Sequence, residues 1–520
     1  MKRVAVLLLT LLLGLALAPS AQAAGKTLRW ALDADPVSLD PHVQLSGGML
    51  QYSHLVFDPL VRWTKDMKLE GRLAEKMERI NPTTVRFTLR KGVTFHSGNP
   101  FTAADVKWTL DRLKTSQDFK GLYEVFESPT VVSDLVVDIK TREPYSLIEA
   151  MATYIFPMDS KFYSGTDDKG QPKDAIVKVG PSFALNNESG TGPYKVTARD
   201  QGVKWEFARF ADYWDKASKG NVDKIVLTPI KEEATRVAAL LSGDVDFISP
   251  VPPQDYDRLG KEKNVQLVTM AGSRVITLQL NQERRAEFKD KRVRQAIVLA
   301  TDNVGIAKKI MNGKATPAAQ QSPKGFAAYV EDLQPKPDLE KAKKLMKEAG
   351  FDKGFTVTMI APNNRYVNDE KIAQAFVSMM AKINIKVELK TMPKAQYWDE
   401  FDARVADIQM IGWHPDTEDS ANYFEYLLMC PSKETGYGQY NSGLYCNPKM
   451  DELVVASQRE GDQAKRSKLL QQAERIAAED AAYVPLHWQH LSWAVGKKVK
   501  NITDVVNVMD FPYVGDMVME

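Results

Sequence analysis

The chain lacks most of what would announce a reaction. No G-x-x-x-x-G-K-[ST] phosphate loop, G-x-S-x-G elbow, H-E-x-x-H or C-x-x-C occurs in its 520 residues. The glycines of "GTGPYK" at 190–195 are no substitute, because Pro193 removes a backbone donor that a phosphate cradle would use. Histidine is scarce, with six residues, and the nearest approach to metal-ligand spacing is His487 and His490. Their segment, "PLHWQHLSWAV", reads as a strand, where an odd separation points the rings to opposite faces. A hydrolase reading therefore has no advertised nucleophile, and the expectation is a protein that is not an enzyme and needs no cofactor.

An excess of one charge is also missing. Lys and Arg total 69 against 67 Asp and Glu, and the first 23 residues hold two of the basic ones. A balance near zero argues against nucleic acid or anionic lipid as main partner. Long apolar runs are lacking beyond the N-terminus. There, Lys2-Arg3, an apolar stretch at 4–18 and Ala21-Gln22-Ala23 compose a secretory signal peptide over 1–23, too short to span a bilayer comfortably. No cysteine sits at the cleavage point, which predicts a soluble periplasmic protein without a lipid anchor.

Cysteine occurs only at 430 and 446, bounding "CPSKETGYGQYNSGLYC". The segment reads as a loop, and in an oxidising compartment a disulfide closing it is the natural inference, worth roughly 3 kcal/mol. Metal binding by two lone cysteines is the weaker alternative.

What is present is an ordinary globular composition, 44% hydrophobic and 26% charged, long enough for roughly two to four domains or lobes. The first third mixes short strands, at 28–32, 85–89 and 131–139, with a few helices. One begins after Thr102, a good N-cap, and another ends near Gly243 before a strand at 245–248. From about residue 270 the pattern becomes strand–helix–strand. Asp338 caps a helix that Gly350 ends, followed by a strand at 355–360, the loop "APNNRYVN" and a helix at 369–382. A strand at 385–389, a short helix at 397–403 and a strand at 407–411 complete the series. This alternation predicts an α/β lobe with a largely parallel sheet. Open α/β sheets bind ligands at the carboxyl ends of their strands. Arg365 in "NNRY" and Asp416 in "GWHPD" would both stand on that rim, whereas Glu418 and Asp419 read as solvated or capping residues.

Several stretches together resemble one family. "ADPVSLDPH" near the N-terminus, "LRKGVTFHSGNPFTAADVKWT" at 89–109 and "GTGPY" at 190–194 are similar to segments of the periplasmic solute-binding proteins of peptide-type ABC importers. "YWD" at 213–215, "ALLSGDVDFI" at 239–248, "FKDKRVRQAIVLATD" at 288–302 and "DLEKAKKLMKEAG" at 338–350 continue the match. The resemblance implies an α/β protein of two closing lobes, of the periplasmic-binding, Venus-flytrap type. The first lobe would span 24–270 plus 485–520, with a peripheral subdomain at about 60–185, and the second 271–484. It implies a monomer serving an inner-membrane ABC permease.

The same resemblance gives Asp416 the ammonium of a bound peptide and Arg365, with Tyr366 beside it, the carboxylate. Ser46 and Gly47 would form a backbone turn against the peptide. Trp413 would cover the ligand's apolar part or pack within its lobe. The arginine segment lacks the proline that dipeptide binders carry there. Opine, glutathione-like, sugar or metal-chelate cargo therefore stays open, the last through His414 or His42.

Overall fold

The computed structural model describes residues 25–65, 68–178, 180–415 and 419–520. The expected signal peptide and the acids Asp416 and Glu418 lie outside them. No helix among the described residues is long and apolar enough to cross a membrane.

The strands that organise the molecule are β1 (Thr27–Leu32), β2 (Tyr194–Asp200), β3 (Lys204–Arg209), β4 (Lys224–Pro229), β5 (Phe247–Ser249) and β6 (Val265–Leu280). They continue with β7 (Ala315–Pro317), β8 (Phe355–Pro362), β9 (Ile385–Met392), β10 (Ile408–Trp413) and β11 (Val484–Gly496). All eleven belong to one sheet, in the order β9-β8-β10-β6-β11-β5-β1-β4-β3-β2, with β7 beside β11. The middle of that order holds the two longest strands. β6 pairs antiparallel with β10 through Val275–Leu280, and with β11 along most of its length. β11 in turn pairs with β5 at Val495 and Ala494. Two crossings of the chain thus join two α/β lobes.

The expected largely parallel sheet is only half right. β8 is parallel to β9 and to β10, as short strands linked by helices should be. The neighbours β10, β6 and β11 are antiparallel, because the crossing strands run to and fro between lobes. The 131–139 run is likewise two strands, Thr130–Ser133 and Val136–Lys140, folded on each other. With Ala74–Asn81 and Thr84–Leu89 they form a separate four-stranded antiparallel sheet.

Local signals set many boundaries. Thr102 and Asp105 form a capping box on helix Ala103–Leu113. Gly243 adopts φ 80° at the end of helix Glu233–Ser242, a left-handed conformation that costs glycine little. Gly190 and Gly192 are needed for another reason: a side chain on either would run into the backbone of Val56. "GTGPY" is therefore a close-packing motif. Separate apolar cores fill the lobes, one around Trp30, Tyr52 and Phe207 and another around Ile276, Met359 and Phe376.

Candidate functional site

The parallel pairing of β8 and β10 places their carboxyl ends, and the loops that follow, on one rim of the second lobe. Helix α1 (Gly47–Val56) of the first lobe presents its N-terminus opposite. Between them lies a cavity of about 580 Å³, lined by Asp33, Ser46, Gly47, Gln51 and Asp510 from the first lobe. Arg365, Tyr366 and Lys394 line it from the second. A smaller cavity of about 130 Å³ adjoins it, walled by Leu45, Trp398, Trp413, His414 and Tyr440.

Arg365 is held by its own loop. The carboxylate of Asp369 accepts hydrogen bonds from the backbone N–H groups of Arg365 (2.8 Å), Tyr366 (2.9 Å) and Glu370 (2.8 Å). Burial nonetheless raises Asp369 to about 6, with the three donors opposing the shift. The Arg365 guanidinium lies 4.9 Å from the centre of the Tyr366 ring, a cation–π contact. Tyr366 is itself buried and donates to the carbonyl of Gly412 (3.3 Å). Gly412 has no room for a side chain: a Cβ would sit 2.7 Å from the Tyr366 ring and 2.5 Å from Ile276 Cδ1. The glycine of "GWH" therefore lets Tyr366 approach, and Tyr366 positions Arg365.

Ser46 is the N-cap residue of α1, but its hydroxyl donates to Gln44 (3.3 Å) instead of accepting from the helix. A side chain on Gly47 would meet no atom within 4 Å, so this backbone faces open space. Trp413 does two things. Its indole stacks on Tyr426 with centroids 4.9 Å apart and donates to Asn422 (2.8 Å), while part of it lines the smaller cavity. His414 is buried beside Arg274 and Arg365, and burial followed by those charges keeps its imidazole neutral.

Other residues fall elsewhere. His42 is buried in a cluster with Asp40 and Arg112, where burial and then Arg112 hold it near 3, and it lines neither cavity. Among the described residues no group of three or more His, Cys, Asp or Glu could hold a metal. Asp419 caps its helix but is not solvated: it forms a buried ion pair with Arg466. Cys430 and Cys446 are joined by a disulfide.

Sequence reasoning missed Lys394, Arg274, Asp33 and Asp510. Arg274 stands where the register of β6 shifts between Ala271 and Val275, a bulge that re-aims a strand side chain. A lone arginine in the apolar run "VITLQL" and its approach was the available signal. Asp33 directly follows β1. Asp510 sits beside Gln51, which donates to its carbonyl (2.8 Å), and burial raises its carboxyl to about 6.

Comparison with known proteins gives this arrangement a family. The model of "Bacterial extracellular solute-binding proteins, family 5 Middle" matches residues 68–435. The glutathione-binding protein GsiB of Salmonella paratyphi A is 27% identical over 493 residues, covering 92% of each chain. The dipeptide-binding protein of Escherichia coli K12 is 28% identical over 525 residues, covering 94% of each. The crystal structure of a dipeptide-binding protein from Pseudoalteromonas sp. SM9913 with Met-Leu superposes with a TM-score of 0.86, over 95% of this chain and 100% of that one, at 22% identity. The match over most of the chain decides the matter: this protein belongs to the bacterial extracellular solute-binding proteins, family 5.

Proposed function

We propose that this chain is the periplasmic receptor of an ABC importer, capturing a short peptide or a similar zwitterion between two closing lobes. The observation that carries the proposal is the cavity of about 580 Å³ lined from both lobes, with Arg365 on its wall. Arg365 would take the carboxylate, since a guanidinium offers a fork that fits it. Asp416, three residues beyond β10 in the sequence, would take the ammonium. Ser46 and Gly47 would present backbone to the peptide, and Trp413 with Tyr440 would cover its apolar part.

In this reading residues 1–23 are removed on export, leaving a soluble monomer without a lipid anchor. The lobes comprise 24–270 plus 485–520, and 271–484, with 60–185 peripheral to the first. The protein performs no chemistry on its cargo. Dipeptides, bound by one named relative, and glutathione, bound by another, both present a free carboxylate and ammonium.

Mass spectrometry of whatever co-purifies with the mature protein tests the class directly. A free peptide supports it, whereas a sugar or a metal chelate overturns it. Asp416→Ala should weaken dipeptide binding by about 2–5 kcal/mol, the usual loss when one partner of a buried charge pair is truncated. Unchanged affinity by calorimetry would remove Asp416 from the site.

A further inference from the structure

The two cavities meet at a neck, and the residues that line both are Gln44, Ser46, Gly47, Arg274, Arg365 and Lys394. Half of this ring is cationic. Lys394 opens helix α2 (Lys394–Asp402), and its backbone N–H donates to Asn364 (2.7 Å), which ties it to the Arg365 loop. Among the described residues, the Lys394 ammonium has no hydrogen-bonded carboxylate, and the Arg365 Nε is buried without a hydrogen-bond partner. The first lobe contributes the positive end of the ten-residue α1, with no acidic residue in its first turn and Gly47 open to the space.

One carboxylate satisfies one guanidinium fork. A second, half-buried cation beside it remains repelled by the first unless the ligand brings another negative charge. We propose that Lys394 is a second anion-binding group at the neck, and that the preferred ligand carries two carboxylates at that end, as a peptide with an acidic C-terminal side chain does. This rests on the cleft being the ligand site. Burial and then Arg365 hold the Lys394 ammonium down to about 8; Arg274 adds to the shift, while Asp33 and Asp35 across the cleft oppose it. That is the condition of a cation awaiting its counter-charge. The carboxyl groups of Asp399 and Asp402 line the smaller cavity but do not reach it as ion-pair partners.

The test compares Ala-Glu with Ala-Gln, which differ by one negative charge at equal shape, on the wild type, Lys394→Met and Lys394→Arg. Ala-Glu should bind the wild type at least about tenfold more tightly. Lys394→Met should bring the ratio to near one while the variant still unfolds in a single cooperative transition, and Lys394→Arg should restore it. A wild-type ratio near one overturns the proposal. So does a Lys394→Met variant that keeps the preference or weakens both peptides equally. Glutarate and its monoamide, run in parallel, separate this inference from the peptide reading. If neither peptide binds but glutarate binds with dependence on Lys394, the peptide reading fails and the anion site stands. If nothing binds, both fail.

Discussion

Cations of the lobe interiors and cations of the cleft wall are treated differently in this protein. Arg112 and Arg466, in the lobes' interiors, are each matched to a carboxylate in a two-pronged contact. Arg112 donates to both oxygens of Asp40 (2.9 and 2.7 Å), and Arg466 donates to both oxygens of Asp419. Arg365 and Lys394, on the cleft wall, have no such partner among the described residues. An interior charge left unsatisfied costs several kcal/mol, and the fold meets it with carboxylates at Arg112 and Arg466 and with backbone carbonyls at Arg236 and Arg294. On the cleft wall the proposed ligand would complete the set for Arg365 and Lys394.

The difference can be broken from either side. Arg112→Ala should give the largest effect on stability, a loss of about 3–5 kcal/mol in denaturant unfolding, because Asp40 is stranded in the core. The variant, where it folds, should keep its ligand affinity. Arg365→Ala should do the reverse. Its binding loss should be about 2–5 kcal/mol by calorimetry, while the unliganded midpoint stays level or rises, since a repulsive neighbour of Lys394 has gone. An Arg365 variant that unfolds as readily as the Arg112 variant would erase the distinction between the two classes.

Gly412→Ala sharpens the comparison at smaller cost. The added methyl group meets Tyr366 and Ile276 inside normal contact distance, and overpacking of this kind costs about 1–3 kcal/mol. Because Tyr366 underlies Arg365, ligand affinity should fall as well, although the variant touches no ligand-lining charge. Loss of stability with unchanged affinity would show that Tyr366 does not position the guanidinium.

How much of this could be read beforehand depended on distance along the chain. Thr102 with Asp105, Asp338 and Gly243 are local signals acting within one helical turn, and they place their helix ends. The strand–helix alternation places Arg365 on a strand's carboxyl end because one loop and one cap decide it. Pairings between remote segments left no such trace. Asp419 finds Arg466 across 47 residues, and its role as an ion-pair partner could not be told from that of a solvated acid. Lys394 looks like any surface lysine opening a helix. Only the meeting of its helix with the Arg365 loop and with α1 across the cleft makes it a wall of the neck. The parallel sheet was over-predicted because the antiparallel strands β6 and β11 come from opposite sides of a 200-residue insertion, which periodicity does not register.

A buried carboxylate without a cation offers the mildest and most specific test. Glu474 is wholly buried; one oxygen accepts from the Gln321 backbone N–H (3.1 Å) and the Tyr483 hydroxyl (2.9 Å), the Ser322 backbone N–H also favours its charged form, and among the described residues no cation pairs with it. Burial raises it to about 7 from 4.5. Between those values the native state holds a proton that the unfolded chain has lost, so stability falls as pH rises from 4.5 to 7 and gains nothing above. Glu474→Gln copies the neutral acid and stays uncharged. Its advantage over the wild type should be near zero at pH 4.5, grow through pH 7, and level off at no more than about 3 kcal/mol. Asp419→Asn, which breaks a pair, should destabilise across the same range. Unfolding midpoints at pH 5 and pH 8 measure both. A Glu474→Gln difference that stays flat with pH would mean the acid is already ionised in the fold, and that a counter-charge or water reaches its second oxygen.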